Sequence, residues 1–145
     1  MTTDIDPRAA WHAMTETLIT DIRAHGEAQT GPFVGRPVLL LTTTGAKTGE
    51  PRLVPLVYSR DGDSPVIMAS KGGAPAHPAW FLNLRANPIV RVEAGGETYH
   101  ARAVITEGAE RDRLWAAHVA QNPGFADYEK RTTRLIPAIR LERIV

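Results

Sequence analysis

The sequence predicts a mainly β, α+β domain: an antiparallel barrel of about six strands with helices at its periphery. Three observations carry that reading. Six segments rich in apolar and β-branched residues are separated by short connections of Gly, Asp and Pro. Helical periodicity is confined to a few stretches and does not alternate with the strands, as a doubly wound parallel sheet would require. The chain has 145 residues, 43% of them hydrophobic, which is the size of one domain able to bury about two-thirds of its unfolded surface.

The first element is expected as a helix from Ala10 to Gln29. Trp11, Met14, Leu18 and Ile22 recur at three- and four-residue spacing with Thr15, Glu16, Asp21 and Arg23 between them, and Gly31-Pro32 end the run. Residues 1–34 are thus read as an amphipathic helical segment and 35–145 as the barrel. The segment reads as a helix packed on the domain, as a flap over a pocket, or as a peripheral membrane contact. Pro37–Thr44 is a first strand, and Gly45-Ala46-Lys47-Thr48-Gly49-Glu50 a turn. Arg52–Arg60 is a second strand, Asp61-Gly62-Asp63-Ser64 a hairpin turn, and Pro65–Ser70 a third strand; the three form an expected meander. Lys71 to Pro78 holds too much Gly and Pro for regular structure. Pro78 opens a short helix to Arg85, which Asn87-Pro88 stops. Ile89–Ala94 and Glu97–Thr106 are strands joined by Gly95-Gly96. Gly108–Gln121 is a helix with Leu114, Trp115, His118 and Val119 on one side. Phe125–Arg131 is another short helix, and Ile136–Ile144 a closing strand.

Composition excludes several functions. There is no cysteine, hence no disulfide, thiolate metal site, Fe–S cluster or cysteine nucleophile. The longest aliphatic run, Val38–Leu41, is far short of the roughly 20 apolar residues of a membrane span. Seventeen Lys and Arg against sixteen Asp and Glu create no field that draws nucleic acid. The N-terminus has no basic-then-apolar signal pattern, so a cytoplasmic protein is expected. No His-x-x-x-His pair is present, so no metal site is assigned. The three serines, Ser59, Ser64 and Ser70, lie in no nucleophile motif. Gly-x-Gly-x-x-Gly and the P-loop are both absent.

What remains is a concentration of anion-binding features. Lys47 lies in a glycine-flanked turn, Arg52 opens the next strand, and Ser70-Lys71-Gly72-Gly73 follows the third. Glycines let backbone N–H groups approach a phosphate, lysine adds charge, and serine a hydroxyl. The start of the following helix adds unpaired N–H groups. Trp80 offers a face for a flat ring, and Asn83 shares its side of the helix. Phe125 and Tyr128 have the same spacing and suggest an aromatic wall. Each feature alone also reads as a solvated turn or ordinary core; together they point to a phosphate-bearing cofactor.

The order of these segments resembles the deazaflavin (coenzyme F420)-dependent nitroreductase and quinone reductase family. The resemblance rests on Gly35 through Gly49, Pro51-Arg52, Pro55 to Tyr58, Ala69-Ser70-Lys71-Gly72-Gly73-Ala74-Pro75, His77-Pro78-Ala79-Trp80 and Asn83-Leu84. Asn87-Pro88, Pro123 to Tyr128 and Arg134-Leu135-Ile136-Pro137 complete it. It implies a split β-barrel that binds coenzyme F420 and passes hydride to a quinone or nitroaromatic acceptor, with FMN the alternative cofactor and a non-catalytic carrier the alternative role. It also allows a homodimer. On matching positions, it implies that Ala46, Lys47, Thr48 and Arg52 hold the phosphate and glutamate tail, and that Val54, Pro55, Leu56, Val57 and Tyr58 line the ring. Met68, Ala69, Ser70 and Lys71 approach from the third strand, and Ala79, Trp80, Phe81, Leu82 and Asn83 from the helix. Tyr58, Phe125 and Tyr128 border the substrate, and Ser70 and Tyr128 carry catalysis. The chain departs from the family pattern at Phe125, where relatives often have tyrosine, and at Ala46, where they often have a second basic residue.

Overall fold

The computed structural model describes residues 7–144. Helix α1 (Pro7–His25) is followed by β1 (Val38–Thr44), β2 (Pro51–Val57), β3 (Ser59–Asp61) and β4 (Ser64–Met68). A single 3-10 turn at Lys71–Gly73 leads to α2 (Ala79–Ala86). Then come β5 (Ile89–Ala94), β6 (Glu97–Ile105), α3 (Gly108–Gln121), α4 (Phe125–Lys130) and β7 (Ala138–Arg143). No described helix is long and apolar enough to cross a membrane.

The seven strands form one antiparallel sheet in the order β2-β1-β5-β6-β7-β4-β3. Its two edge strands, β2 and β3, are consecutive in the chain and separated by Tyr58 alone. Laid flat, seven strands would hold those edges roughly 29 Å apart at the usual strand spacing, whereas the chain extends at most about 3.6 Å per residue. The sheet therefore curls until its edges meet. No ladder joins β2 to β3, so this seam is the split in the barrel. The Tyr58 N–H donates to the Pro37 carbonyl at 3.1 Å, which anchors the crossing.

The fold departs from the sequence expectation at three points. The single strand Arg52–Arg60 is two strands broken at Tyr58, because the chain leaves one sheet edge there and enters the other; the count rises from about six to seven. The meander does not form: β1–β2 and β3–β4 are separate hairpins, and β4 pairs with β7. The turn between β3 and β4 does follow the sequence, with Asp61 opposite Ser64 and Gly62 at φ +61°. Helix α1 ends at His25 rather than Gln29. Gly26 takes φ +78° and its N–H returns to the Ile22 carbonyl at 2.8 Å, a left-handed cap available to glycine.

Side-chain alternation explains the apolar run of β1. Leu39 and Leu41 point into the barrel with Ile67, Val92, Ile139 and Leu141, and α2 closes on them through Phe81 and Leu84. Val38 and Leu40 point outward and are covered by Leu18, Ile22 and Ala28. A strand buried on both faces needs no polar alternation. Trp11, at the start of the expected apolar face of α1, is 59% exposed. Outside β4 and β7, Val66, Met68 and Ala138 pack against Leu114, Trp115 and Phe125. The edge strand β2 carries Pro51 and Pro55, opposite Thr44 and Leu40. Lacking N–H groups, they take non-hydrogen-bonded positions toward β1 and leave the outer rim two donors short.

Candidate active site

The turn after β1 is built by its own polar groups. The Gly45 N–H donates to the Glu50 carbonyl at 2.7 Å, and the Gly49 N–H to the Gly45 carbonyl at 2.9 Å. The Thr48 hydroxyl accepts from the Glu50 N–H at 3.2 Å. Gly45 is required by space: a Cβ there would lie 2.8 Å from Thr48 Oγ1 and 3.2 Å from the Glu50 carbonyl oxygen. Asn83 on α2 holds this turn from the side. Its Oδ1 accepts from the Ala46 N–H at 3.0 Å, and its Nδ2 donates to Thr43 Oγ1 at 3.2 Å.

Between the turn, β2 and α2 lies a cleft of about 540 Å³, within the range of small-molecule sites. Ala46, Lys47, Thr48, Arg52, Val54, Ala79, Trp80, Leu82 and Asn83 line it together with Gly45. Nine residues assigned from sequence thus share one wall system, although they come from three separated stretches. None of the lining residues is acidic. The nearest carboxylate to Arg52 is Glu50, at a loose 3.7 Å between two exposed side chains, a pair that contributes little. The cleft is cationic at one end, with Trp80 half-buried and one side of it packed on the barrel core.

The loop after β4 does not line this cleft, nor do Phe125 and Tyr128; it leads into α2 and so to the cleft wall at Ala79. Ser70 is buried and in the αR conformation, and Lys71 follows at φ +47°, the one described non-glycine residue with positive φ. That conformation costs roughly 1–2 kcal/mol for a residue with a side chain, and strain of this kind collects at functional sites. Successive αR and αL residues turn consecutive N–H groups toward a common concavity that suits an anion. Neither the Ser70 nor the Lys71 N–H meets a main-chain acceptor among the described residues. Gly73, two residues beyond Lys71, takes φ +83° so close to α4 that a Cβ would lie 2.8 Å from the Tyr128 carbonyl oxygen and 2.7 Å from Arg131 Cβ. Helix α4, carrying Phe125 and Tyr128, therefore seats directly on the loop. The rings of Phe125 and Tyr128 meet edge to face at 5.0 Å, the expected aromatic pair.

Other assigned residues sit deeper. Tyr58, Ala69 and Phe81 belong to the barrel interior, Met68 is buried beneath α3 and α4, and Phe125 is 8% exposed. Leu56 packs with Val54 on the interior cluster, Val57 packs on the outer clusters, and Pro55 lies half-buried between them. His118 on α3 is fully buried, its Nδ1 2.8 Å from Ser59 Oγ and its ring edge-on to Phe125 at 4.4 Å. Burial, reinforced by the Arg36 charge, lowers it to a pKa of about 4.

Two arginines were not singled out by any sequence pattern. Arg111, 5% exposed, grips the Ile136 carbonyl through Nε at 3.0 Å and Nη2 at 2.8 Å and lies over the Trp115 ring. Arg134 donates to the Ser70 carbonyl at 2.8 Å, to the Ala74 carbonyl at 2.9 Å and to His77 Nδ1 at 3.2 Å. Arginine has no lone pair to offer, so His77 Nδ1 is the acceptor and the imidazole is neutral. Burial, then the charges of Arg134 and Arg85, hold it below the ordinary histidine value. The sequence signal available for Arg134 was its place in the Arg134–Pro137 segment of the resemblance, with no role attached.

Known proteins resemble this chain in both sequence and fold. A family model described as F420H(2)-dependent quinone reductase matches residues 15–143. The F420H(2)-dependent quinone reductase Rv1261c of Mycobacterium tuberculosis is 44% identical over 110 residues, 74% of each chain. A solved F420-H2 dependent reductase, FDR-A, superposes with a TM-score of 0.69 at 42% identity, covering 74% of this chain and 95% of its own. A solved structure described as a domain-swapped dimer superposes with a TM-score of 0.70 at 36% identity, covering 93% of this chain and 99% of its own. With a split barrel, a cationic cleft beside an aromatic face, and a family model matched along nearly its whole length, the chain belongs to the F420H(2)-dependent quinone reductase family.

Proposed function

We propose that the protein is an oxidoreductase that uses reduced coenzyme F420 to reduce a quinone by two electrons. The observation that carries this reading is the cleft itself, where Lys47, Arg52 and Trp80 face a common space whose lining includes no acid. That donor set fits a cofactor with a phosphate, a carboxylate tail and a flat ring. Lys47, Arg52 and Lys71 supply charge for the anionic groups, and the Ser70 and Lys71 N–H groups supply directed donors. Trp80, Val54 and Ala79 on the cleft wall, with half-buried Pro55 beside them, offer apolar surface to the ring. When bound, the reduced deazaflavin supplies the hydride.

The protein's share is positioning and electrostatics. Asn83 fixes the Lys47 turn against α2, which sets the distance between cation and ring platform. Phe125 and Tyr128 wall the site beside the loop and exclude water. The Tyr128 hydroxyl donates a hydrogen bond to the acceptor oxygen as it gains negative charge. Nitroaromatics are a second acceptor class with the same need, since their oxygens also gain charge. The solved relative described as a domain-swapped dimer supports self-association of this chain.

Absorbance of reduced F420 followed with and without menaquinone tests the reading. Rapid, quinone-dependent loss of the reduced coenzyme is expected, and Lys47→Ala and Arg52→Ala each raise KM for the coenzyme about tenfold, the scale of one charge-assisted hydrogen bond. Protein that purifies with tight FMN and gives no response to reduced F420 would overturn the proposal.

A further inference from the structure

We propose that Arg134 is a positioning residue: it holds the Ser70–Lys71 peptide turned so that consecutive N–H groups face the phosphate of the bound coenzyme. The inference rests on the cofactor placement above and adds the residue that builds its anion seat.

In a trans peptide the carbonyl and the N–H point in opposite directions, so whatever grips the Ser70 carbonyl also aims the Lys71 N–H. Two donors grip it: Arg134 Nη2 at 2.8 Å and the Gly73 N–H at 2.9 Å. Both lone pairs are then used, and the plane has no freedom to flip. Lys71 sits at φ +47° as a consequence. Elsewhere in the described chain positive φ falls on glycines, so a lysine in this conformation needs an outside cause.

Arg134 lies more than sixty residues away in sequence and reaches the loop from the far side. Its Nε holds the Ala74 carbonyl, and Nη1 holds His77 at the other end of the connection to α2. One planar fork thus fixes the beginning, middle and end of the segment between Ser70 and the cleft wall at Ala79. No carboxylate pairs with Arg134 among the described residues. Its guanidinium is thus given over to the three loop acceptors. Lysine, a point charge without the fork, cannot reproduce three bonds in one plane.

The test measures affinity for coenzyme F420, and for the same deazaflavin cut before its phosphate, by fluorescence titration. The proteins are the wild type, Arg134→Met, Arg134→Lys, Lys71→Gly and Arg134→Met/Lys71→Gly. The expected result has three parts. Arg134→Met weakens F420 at least about tenfold, the scale of a charge-assisted contact, and changes affinity for the phosphate-free deazaflavin less than about twofold, within ordinary noise in a binding energy. Arg134→Lys falls nearer to Met than to wild type. In the Lys71→Gly background the Met substitution costs less than about threefold, because glycine holds positive φ without a clamp.

Equal affinity of the wild type for the two deazaflavins would remove the phosphate from this loop and overturn both the placement and the proposal. Discrimination by the wild type that survives intact in Arg134→Met or Arg134→Lys would overturn the proposal alone. So would an equal loss with both ligands, or a loss independent of residue 71, since either outcome marks a general structural role. Circular dichroism melting of each variant identifies any that fails to fold, and Arg134→Lys keeps the question answerable in that event.

Discussion

Asn83 uses both ends of its amide within the protein, one on the Ala46 N–H and one on the Thr43 hydroxyl. Its spacing from Trp80 made it legible in the sequence as a residue of the cleft. The direction in which its polar atoms point was not legible, because that depends on a turn thirty-seven residues earlier. His118 shows the same division. Its place on the apolar side of a helix was readable, but the pairing with Ser59 across the fold was not. Its energetic consequence follows from burial. The folded pKa of about 4 lies below the ordinary value near 6.5, so the unfolded chain binds more protons between those limits. The contribution of neutral His118 is present in full above about pH 6.5 and is lost as pH falls through about 4. A shift of this size corresponds to about 3 kcal/mol. Urea denaturation at pH 7 and pH 4 should show that His118→Phe removes about that much of the wild type's acid sensitivity. Parallel pH profiles for the two proteins would refute the assignment.

At the level of elements, the boundaries that Gly and Pro enforce were the readable part. Helix α3 and strand β5 have the bounds expected from sequence, and the β3–β4 turn lies at Gly62 as expected. The pairing of strands was less accessible, since β1 to β4 have hairpin spacing throughout and nothing local says that β2 and β3 part company. The arginine clamps were hidden for a different reason: Arg111 and Arg134 look like ordinary polar positions until the carbonyls they hold are brought near. The most consequential contact between elements is that of Gly73 with α4. Gly73→Ala would push a methyl into Arg131 and the Tyr128 carbonyl while straining φ +83°. Overpacking of this kind costs about 1–3 kcal/mol and would lift Tyr128 off the loop, with turnover falling as well. Gly95→Ala is the control: φ is +57° there, but nothing lies within 4 Å. Thermal unfolding of both variants should show the larger loss at Gly73, and the drop in quinone reduction should be confined to it.

The whole molecule is organised by one demand, that a sheet of seven strands begin and end within one residue of itself. The curl places the interior cluster, fixes α2 across it and leaves β2 unpaired along the cleft. An unpaired strand is normally exposed to pairing with a foreign chain. Here the Pro51 and Pro55 positions deny two donors to any such partner, and the opposite edge, β3, is three residues long with Arg60 exposed. Pro51→Val/Pro55→Val should fold, yet scatter more light than wild type after prolonged incubation at high concentration. Unchanged scattering would show that the prolines do not guard the rim.

The imino acids of β2 carry a wider implication. A vessel that must stay ajar to admit its guest cannot be zipped shut by main-chain bonding. Two rings that donate nothing let it stay ajar without becoming the template on which fibrils grow.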